Sequence, residues 1–205
     1  MHPGTVASER FEYPSALPQP VQDRMAEVAA SVMEEIGFTH GLFNIEFLYD
    51  AAQDRLGIVE INPRMASQFA DLYEKVDGYS TYSILLDLAF GRRPALRKQA
   101  GRRVAASSCV LRTFEDARVL ACPSGEDLDK ILSVHPDARV ELLAEAGVLL
   151  SQQLQDACSL CYGIVNLGGQ SREDMLKSFD CCREHLTFSF ERTADAESGR
   201  PQANA

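Results

Sequence analysis

Two short apolar runs in the first third of the chain set the problem. Gly41-Leu-Phe-Asn-Ile-Glu-Phe-Leu-Tyr49 and Gly57-Ile-Val-Glu-Ile-Asn62 both read as strands, and the polar stretch Asp50–Leu56 between them suits a hairpin connection. Alternate residues of a strand share a face. Asn44, Glu46 and Leu48 therefore lie together, opposite Phe43, Ile45, Phe47 and Tyr49; in the second run Ile58, Glu60 and Asn62 share a face, opposite Val59 and Ile61. A hairpin centred on the connection brings Glu46 near Glu60 and Asn44 near Asn62.

Two carboxylates facing each other across strands repel. Neither run contains a lysine to compensate them. A divalent cation would do so, and the donors on offer are all oxygen, which suits Mg²⁺ or Mn²⁺ and not zinc. Arg64, just past Asn62, adds a planar fork for a phosphate or carboxylate. Carboxylates, metal and arginine together describe a site where phosphate charge is neutralised during transfer. From spacing alone a second reading stays open: a polar sheet face meeting water, with Arg55 or Arg64 as loose ion partners.

The rest of the chain gives the setting. Residues 1–17 are a proline-bearing, extended lead-in. A helix follows, with Val21, Met25, Val28, Val32, Met33 and Ile36 on one face, Pro20 in its first turn and Gly37 at its stop. Tyr79–Phe90 reads as a second helix with Ser80 as N-cap and Gly91 as stop. These elements make a subdomain over residues 18–94. Residues 95–103 fall in a basic run, Arg92 to Arg103, read as a solvated linker. Short strands dominate residues 104–191 (Val104–Arg112, Ala117–Ala121, Arg139–Leu143, Gly147–Leu150, Ser159–Val165 and Leu186–Glu191), with helices at Gly125–Leu132 and Ser171–Glu184. Residues 192–205 are polar and expected to be disordered. The fold class expected is α+β: an antiparallel sheet with packed helices, then a small strand-rich lobe.

With 20 Lys and Arg against 30 Asp and Glu, the formal charge is −10. Such a chain repels nucleic acid over most of its surface. No stretch is apolar for long enough to span a bilayer, and the first residues lack a signal-peptide pattern, so a cytoplasmic location without membrane contact is expected. The six cysteines read as buried free thiols. Cys158-Ser-Leu-Cys161 lies in a strand and not in the turns that structural zinc favours.

His40-Gly-Leu-Phe-Asn-Ile-Glu-Phe-Leu48 followed by Ile58-Val-Glu-Ile-Asn-Pro-Arg64 resembles the metal-binding half of the ATP-grasp superfamily, in its biotin-carboxylase-like and L-amino-acid-ligase-like members. The resemblance runs from about Pro18 to Pro94, and Val76-Asp-Gly78 and Ala89-Phe-Gly91 fit the same layout. It implies that Glu46, Glu60 and Asn62 hold the metal, that Arg64 contacts the reacting phosphate or acyl phosphate, and that Leu48 packs on the adenine ring. It also implies ATP with Mg²⁺ or Mn²⁺, and a small carboxylate joined to an amine or thiol through an acyl phosphate. The family's glycine-rich loop and phosphate-binding lysines belong to a lobe lying before this segment, and the first twenty residues hold no lysine. The chain is thus expected to be the C-terminal portion of a ligase, or a natural truncation, inactive or nearly so alone. A non-catalytic remnant serving as a binding module is the alternative. An incomplete lobe would expose apolar surface that a homodimer could cover.

Overall fold

The computed structural model describes residues 7–153, 155–156 and 159–192, with side chains given from 7 to 153 and from 159 to 192. The disorder expected of the tail falls on residues 193–205, outside the described residues, as does Cys158. The described residues form two compact units: residues 13–102, and residues 7–12 together with those from 103 to 192. It is α+β, as expected, with antiparallel pairing in its sheets.

A strand, β1 (Arg10–Tyr13), comes first. The first unit then runs α1 (Gln19–Glu35), β2 (Asn44–Asp50), β3 (Arg55–Asn62), a 3-10 turn at Ser67–Phe69, α2 (Ala70–Asp77) and α3 (Thr81–Ala89). Pro18 caps α1 with a φ that proline sets by itself, and Gly37 takes the left-handed conformation (φ 69°) that ends it. Ser80 caps α3 by accepting from the Tyr82 N–H at 3.2 Å, and Gly91 (φ 67°) follows its end. Few side chains of this unit are buried: Val21 and Met33 of α1, Leu72 and Val76 of α2, and Ile84 of α3 are its main apolar core.

The short helix α2 was not foreseen. Its apolar stripe is interrupted by Asp71, Lys75 and Asp77, which are themselves buried. Asp71 and Lys75 satisfy each other one turn apart through a short ion pair. Gly78 (φ 77°) then turns the chain out of the helix.

The second unit contains β4 (Ala105–Thr113), β5 (Ala117–Ala121), α4 (Gly125–Val134), β6 (Arg139–Leu142), a 3-10 turn at Leu150–Gln152, β7 (Gln155–Asp156), β8 (Ser159–Gly169), α5 (Arg172–His185) and β9 (Ser189–Arg192). One sheet has the order β1-β4-β8-β6, with β7 also on β8; β5 and β9 form a separate ribbon. The strand expected at Gly147–Leu150 is instead a turn, because Gly147 sits at φ 89° and the chain goes directly into 3-10 geometry. Leu111, Ile131, Val165, Leu167, Met175 and Leu186 make the main core, joined by the thiols of Cys109 and Cys182. Cys109, Cys122, Cys161, Cys181 and Cys182 are free, and burial pushes the Cys109 and Cys182 thiols up to about 11.

Two helix starts are chemically explicit. Ser124 and Asp127 form a reciprocal capping box on α4. Ser171 caps α5 by accepting from the Asp174 N–H at 3.0 Å. The basic run is less solvated than expected. Arg103 grips Asp137 with two bonds of 2.8 and 2.6 Å, and Lys98 reaches Asp77 at 3.0 Å.

Candidate functional site

The hairpin places the sequence-derived residues in a definite register. β2 pairs with β3 antiparallel, with Asn44 opposite Asn62, Ile45 opposite Ile61 and Glu46 opposite Glu60. That is the register obtained by centring the hairpin on its loop. Below Glu46 the register shifts, so Phe47 faces Ile58 and Leu48 faces Gly57. The extra residue is Val59, a β-bulge. It corrects one face assignment: Ile58 sits across from Phe47, on the side away from Glu60. The polar face is therefore Asn44, Glu46 and Leu48 on one strand, with Gly57, Glu60 and Asn62 on the other.

Directly opposed residues share a face with Cβ atoms about 4.5–5.5 Å apart. Glu46 and Glu60 are both exposed and Asn62 is half-buried. No side-chain hydrogen bond or ion pair ties up either carboxylate among the described residues. Leu48 is 58 % exposed, and the residue across from it, Gly57, offers only open space above its backbone. A flat ligand has room there.

Arg64 is held close to this face by the backbone. Its N–H donates to the Asn62 carbonyl at 2.8 Å across Pro63, a tight turn that proline favours. Its guanidinium makes only a long contact, 3.4 Å to the Met65 carbonyl, so its fork remains available.

A two-stranded ribbon is marginal unless something packs on it. Here α1 supplies an anchor at the loop. Arg24 donates to both Asp54 carboxylate oxygens, at 3.1 and 2.9 Å, and Tyr49 donates to the same carboxylate at 2.9 Å. These donors hold the Asp54 carboxyl below its ordinary pKa. Asp54 lies at φ 48°, a conformation that Asp tolerates in turns. The Asp50 carboxylate accepts from the Ala52 and Gln53 N–H groups and closes the loop's start.

A second polar cluster of this unit escaped the sequence reading. Asp77, whose side chain is 1 % exposed, accepts from the Tyr13 hydroxyl at 2.5 Å, the Gln99 N–H at 2.8 Å and Lys98 at 3.0 Å. Burial alone would raise its pKa; the bonds from Tyr13, Gln99 and Lys98 overcome that and hold it below the ordinary value. Burial and the hydrogen bond to Asp77 push Tyr13 up to about 12. Tyr73 meets the Tyr13 ring edge-on, with centroids 4.8 Å apart. Residues of the basic run are thereby strapped to the end of α2, and Gly101 donates to the Val76 carbonyl at 2.9 Å. The only sequence sign was Val76-Asp-Gly78; the partners are remote in the chain. His40 touches only its neighbour Thr39, at 3.1 Å, and stays outside this network.

Among the described residues, no group of three or more His, Cys, Asp or Glu is gathered for a metal. A cation at the hairpin would take two carboxylates and the Asn62 amide from the protein and the rest of its shell from water or a ligand. That donor set fits Mg²⁺, which keeps several waters and commonly adds phosphate oxygens to one or two carboxylates. No helix among the described residues is long and apolar enough to cross a membrane.

Comparison with known proteins gives this geometry its context. Residues 12–96 match the family model of the carbamoyl-phosphate synthase L chain ATP-binding domain. A stretch of 49 residues is 43 % identical to a D-alanine–D-alanine ligase of Synechococcus sp. (strain CC9605), covering 24 % of this chain and 14 % of that protein. Among solved structures, the L-amino acid ligase of Bacillus licheniformis aligns with a TM-score of 0.69 at 11 % identity, over 92 % of this chain and 45 % of that one. The biotin carboxylase domain of the Hydrogenobacter thermophilus 2-oxoglutarate carboxylase, a dimer in complex with MgADP, ADP and bicarbonate, aligns with a TM-score of 0.59 at 15 % identity, over 88 % of this chain and 39 % of that one. The chain thus spans less than half the length of these solved structures. Residues 12–96 are thus similar to the ATP-binding domain of the carbamoyl-phosphate synthase L chain, and the chain shares its fold with these ligase and carboxylase structures.

Proposed function

We propose that the hairpin face is the metal and phosphate side of an ATP-dependent ligase site, one that joins a carboxylate to an amine or a thiol through an acyl phosphate. The observation that carries this reading is the direct opposition of Glu46 and Glu60, with no ion pair to either among the described residues, on a strand pair that ends in Asn62, two residues before Arg64.

In this reading Glu46, Glu60 and the Asn62 amide oxygen hold the magnesium. A magnesium ion held there would neutralise phosphate charge. Arg64 is the catalytic residue: its fork binds the phosphoryl or acyl-phosphate oxygens as negative charge builds on them. Leu48, unopposed by a side chain, offers an apolar seat for the adenine ring. Ile45, Phe47, Ile58 and Ile61 form the other, apolar side of the hairpin, with Ile45 and Phe47 half-buried and Ile58 and Ile61 exposed.

We further propose that the lysines and glycine-rich loop which grip the nucleotide's phosphates lie in sequence outside these 205 residues. Phosphoryl transfer is catalysed largely by positioning and charge neutralisation. One half of the contacts then gives binding of the metal with little or no turnover.

The test is phosphate release from ATP with pooled amino acids, measured on this chain and on the full coding region that contains it. The longer protein should turn over, and Arg64→Ala in it should cut kcat by at least about a hundredfold, the size typical of losing a preorganised charge-stabilising group. An active longer protein indifferent to Glu60→Gln and Arg64→Ala would overturn the assignment. A longer protein silent towards every acid and amine offered would favour a non-catalytic binding module.

A further inference from the structure

The second unit contains a cleft of about 400 Å³ that the ligase reading does not use. It lies along α5, where Leu176, Phe179, Asp180 and Arg183 line it at the spacing of one helical face. The inner wall is apolar: Leu176 and Phe179 are joined there by Tyr162 of β8, each half-buried. The mouth carries charges of both signs.

Those charges differ in how they are engaged. Arg10 donates to Glu12 at 2.6 Å, and Arg112 donates to the Ser159 hydroxyl at 2.6 Å, so both are drawn into the fold. Asp180 and Arg183 are not. Opposite charges three residues apart on a helix ordinarily meet each other. This pair makes no ion pair or side-chain hydrogen bond, with each other or with another described residue. The helix thus presents one free carboxylate and one free guanidinium, side by side, above an apolar wall.

We propose that this cleft binds a free α-amino acid with an apolar side chain. Its carboxylate meets the Arg183 fork, its ammonium meets Asp180, and its side chain lies against Leu176, Phe179 and Tyr162. Glu9 also lines the cleft and is engaged within the fold, so three guanidinium groups stand against two carboxylates. The charges select against simpler ligands: a monocarboxylic acid leaves Asp180 and Glu9 facing a like charge, and an amine leaves the guanidinium groups of Arg10, Arg112 and Arg183 outnumbering the carboxylates that answer it. The volume is within the range of small-molecule sites. This inference does not depend on the ligase reading, because every residue in it belongs to the other unit.

The test is titration of the full chain with L-leucine and L-phenylalanine, followed by amide chemical shifts on α5 and around Tyr162 and by calorimetry. The controls are glycine, N-acetyl-L-phenylalanine and L-phenylalaninamide. Saturable binding at millimolar or lower concentration is expected for the two apolar amino acids. Each control should bind at least about tenfold more weakly, since each loses a charge-assisted contact or the apolar one. Arg183→Gln and Asp180→Asn, both on the exposed side of α5, should each weaken binding by a similar factor with an unchanged circular dichroism melt. Capped ligands that bind as well as the free amino acids would overturn the proposal. So would the absence of saturable shifts, or binding indifferent to both substitutions.

Discussion

Replacing Glu46 by Gln removes one of two opposed carboxylates without changing its shape, and its effect should reverse sign with metal. The two groups stand directly across the ribbon, in register and without a compensating ion pair among the described residues. At a separation of about 5 Å in water-like surroundings, like charges cost about 0.8 kcal/mol. Physiological salt, with a Debye length of about 8 Å, cuts that to about half. In EDTA the Glu46→Gln protein should therefore be more stable than the parent by about 0.4–0.8 kcal/mol, a rise in Tm of about 1–3 °C for a chain of this size. With Mg²⁺ or Mn²⁺ the order should invert. The parent gains about 1.4 kcal/mol for each tenfold excess of free metal over its Kd, and the variant, short of a ligand, gains much less. Thermal melts followed by circular dichroism, with and without metal, measure both halves. Glu60→Gln should behave in the same way, and Glu184→Gln on α5 serves as the control. A Glu46→Gln protein less stable than the parent in EDTA, or one with the parent's full metal response, refutes the reasoning.

Two other outcomes are expected from the strap at the end of α2. A Cβ added at Gly101 would lie 2.2 Å from the Lys75 carbonyl oxygen and 2.7 Å from the Val76 carbonyl carbon, all backbone, so Gly101→Ala should cost about 1–3 kcal/mol or more in urea denaturation; a neutral result would show that the strap is not held as described. Asp77 has a folded pKa below its ordinary 3.8, so its contribution to stability is complete above that value and is lost as pH falls through the depressed folded value. Asp77→Asn should accordingly be destabilised at neutral pH and show less further loss between pH 4 and pH 2 than the parent, read from denaturation midpoints across that range.

The sequence carried some of this plainly and hid the rest for identifiable reasons. The hairpin register followed from the loop's centre, and α1 from its apolar spacing and its proline and glycine boundaries. The bulge at Val59 had no local sign, because Ile58 and Val59 are both good strand residues on either side of the shift. Helix α2 was masked by Asp71, Lys75 and Asp77, charged residues that are buried only because partners meet them. One of those partners, Lys98, lay inside a run whose composition suggested a solvated linker. Of the candidate site, the opposition of Glu46 and Glu60 was legible, since period-two alternation needs no distant partner. Asp77's cluster was not, since Tyr13 and Lys98 are 64 and 21 residues away from it.

The position of β1 carries a consequence for how the molecule is made. Its neighbour in the sheet is β4, which begins at Ala105. A ribosome adding about 5–20 residues per second needs roughly 5–20 s to deliver that partner after Arg10 has been joined. During that interval the first strand has an open edge, while the hairpin and helices between them emerge and can already assemble. Deleting Arg10–Tyr13 would accordingly damage the sheet built on β4 and β8, and leave the segment between β1 and β4 the better preserved of the two.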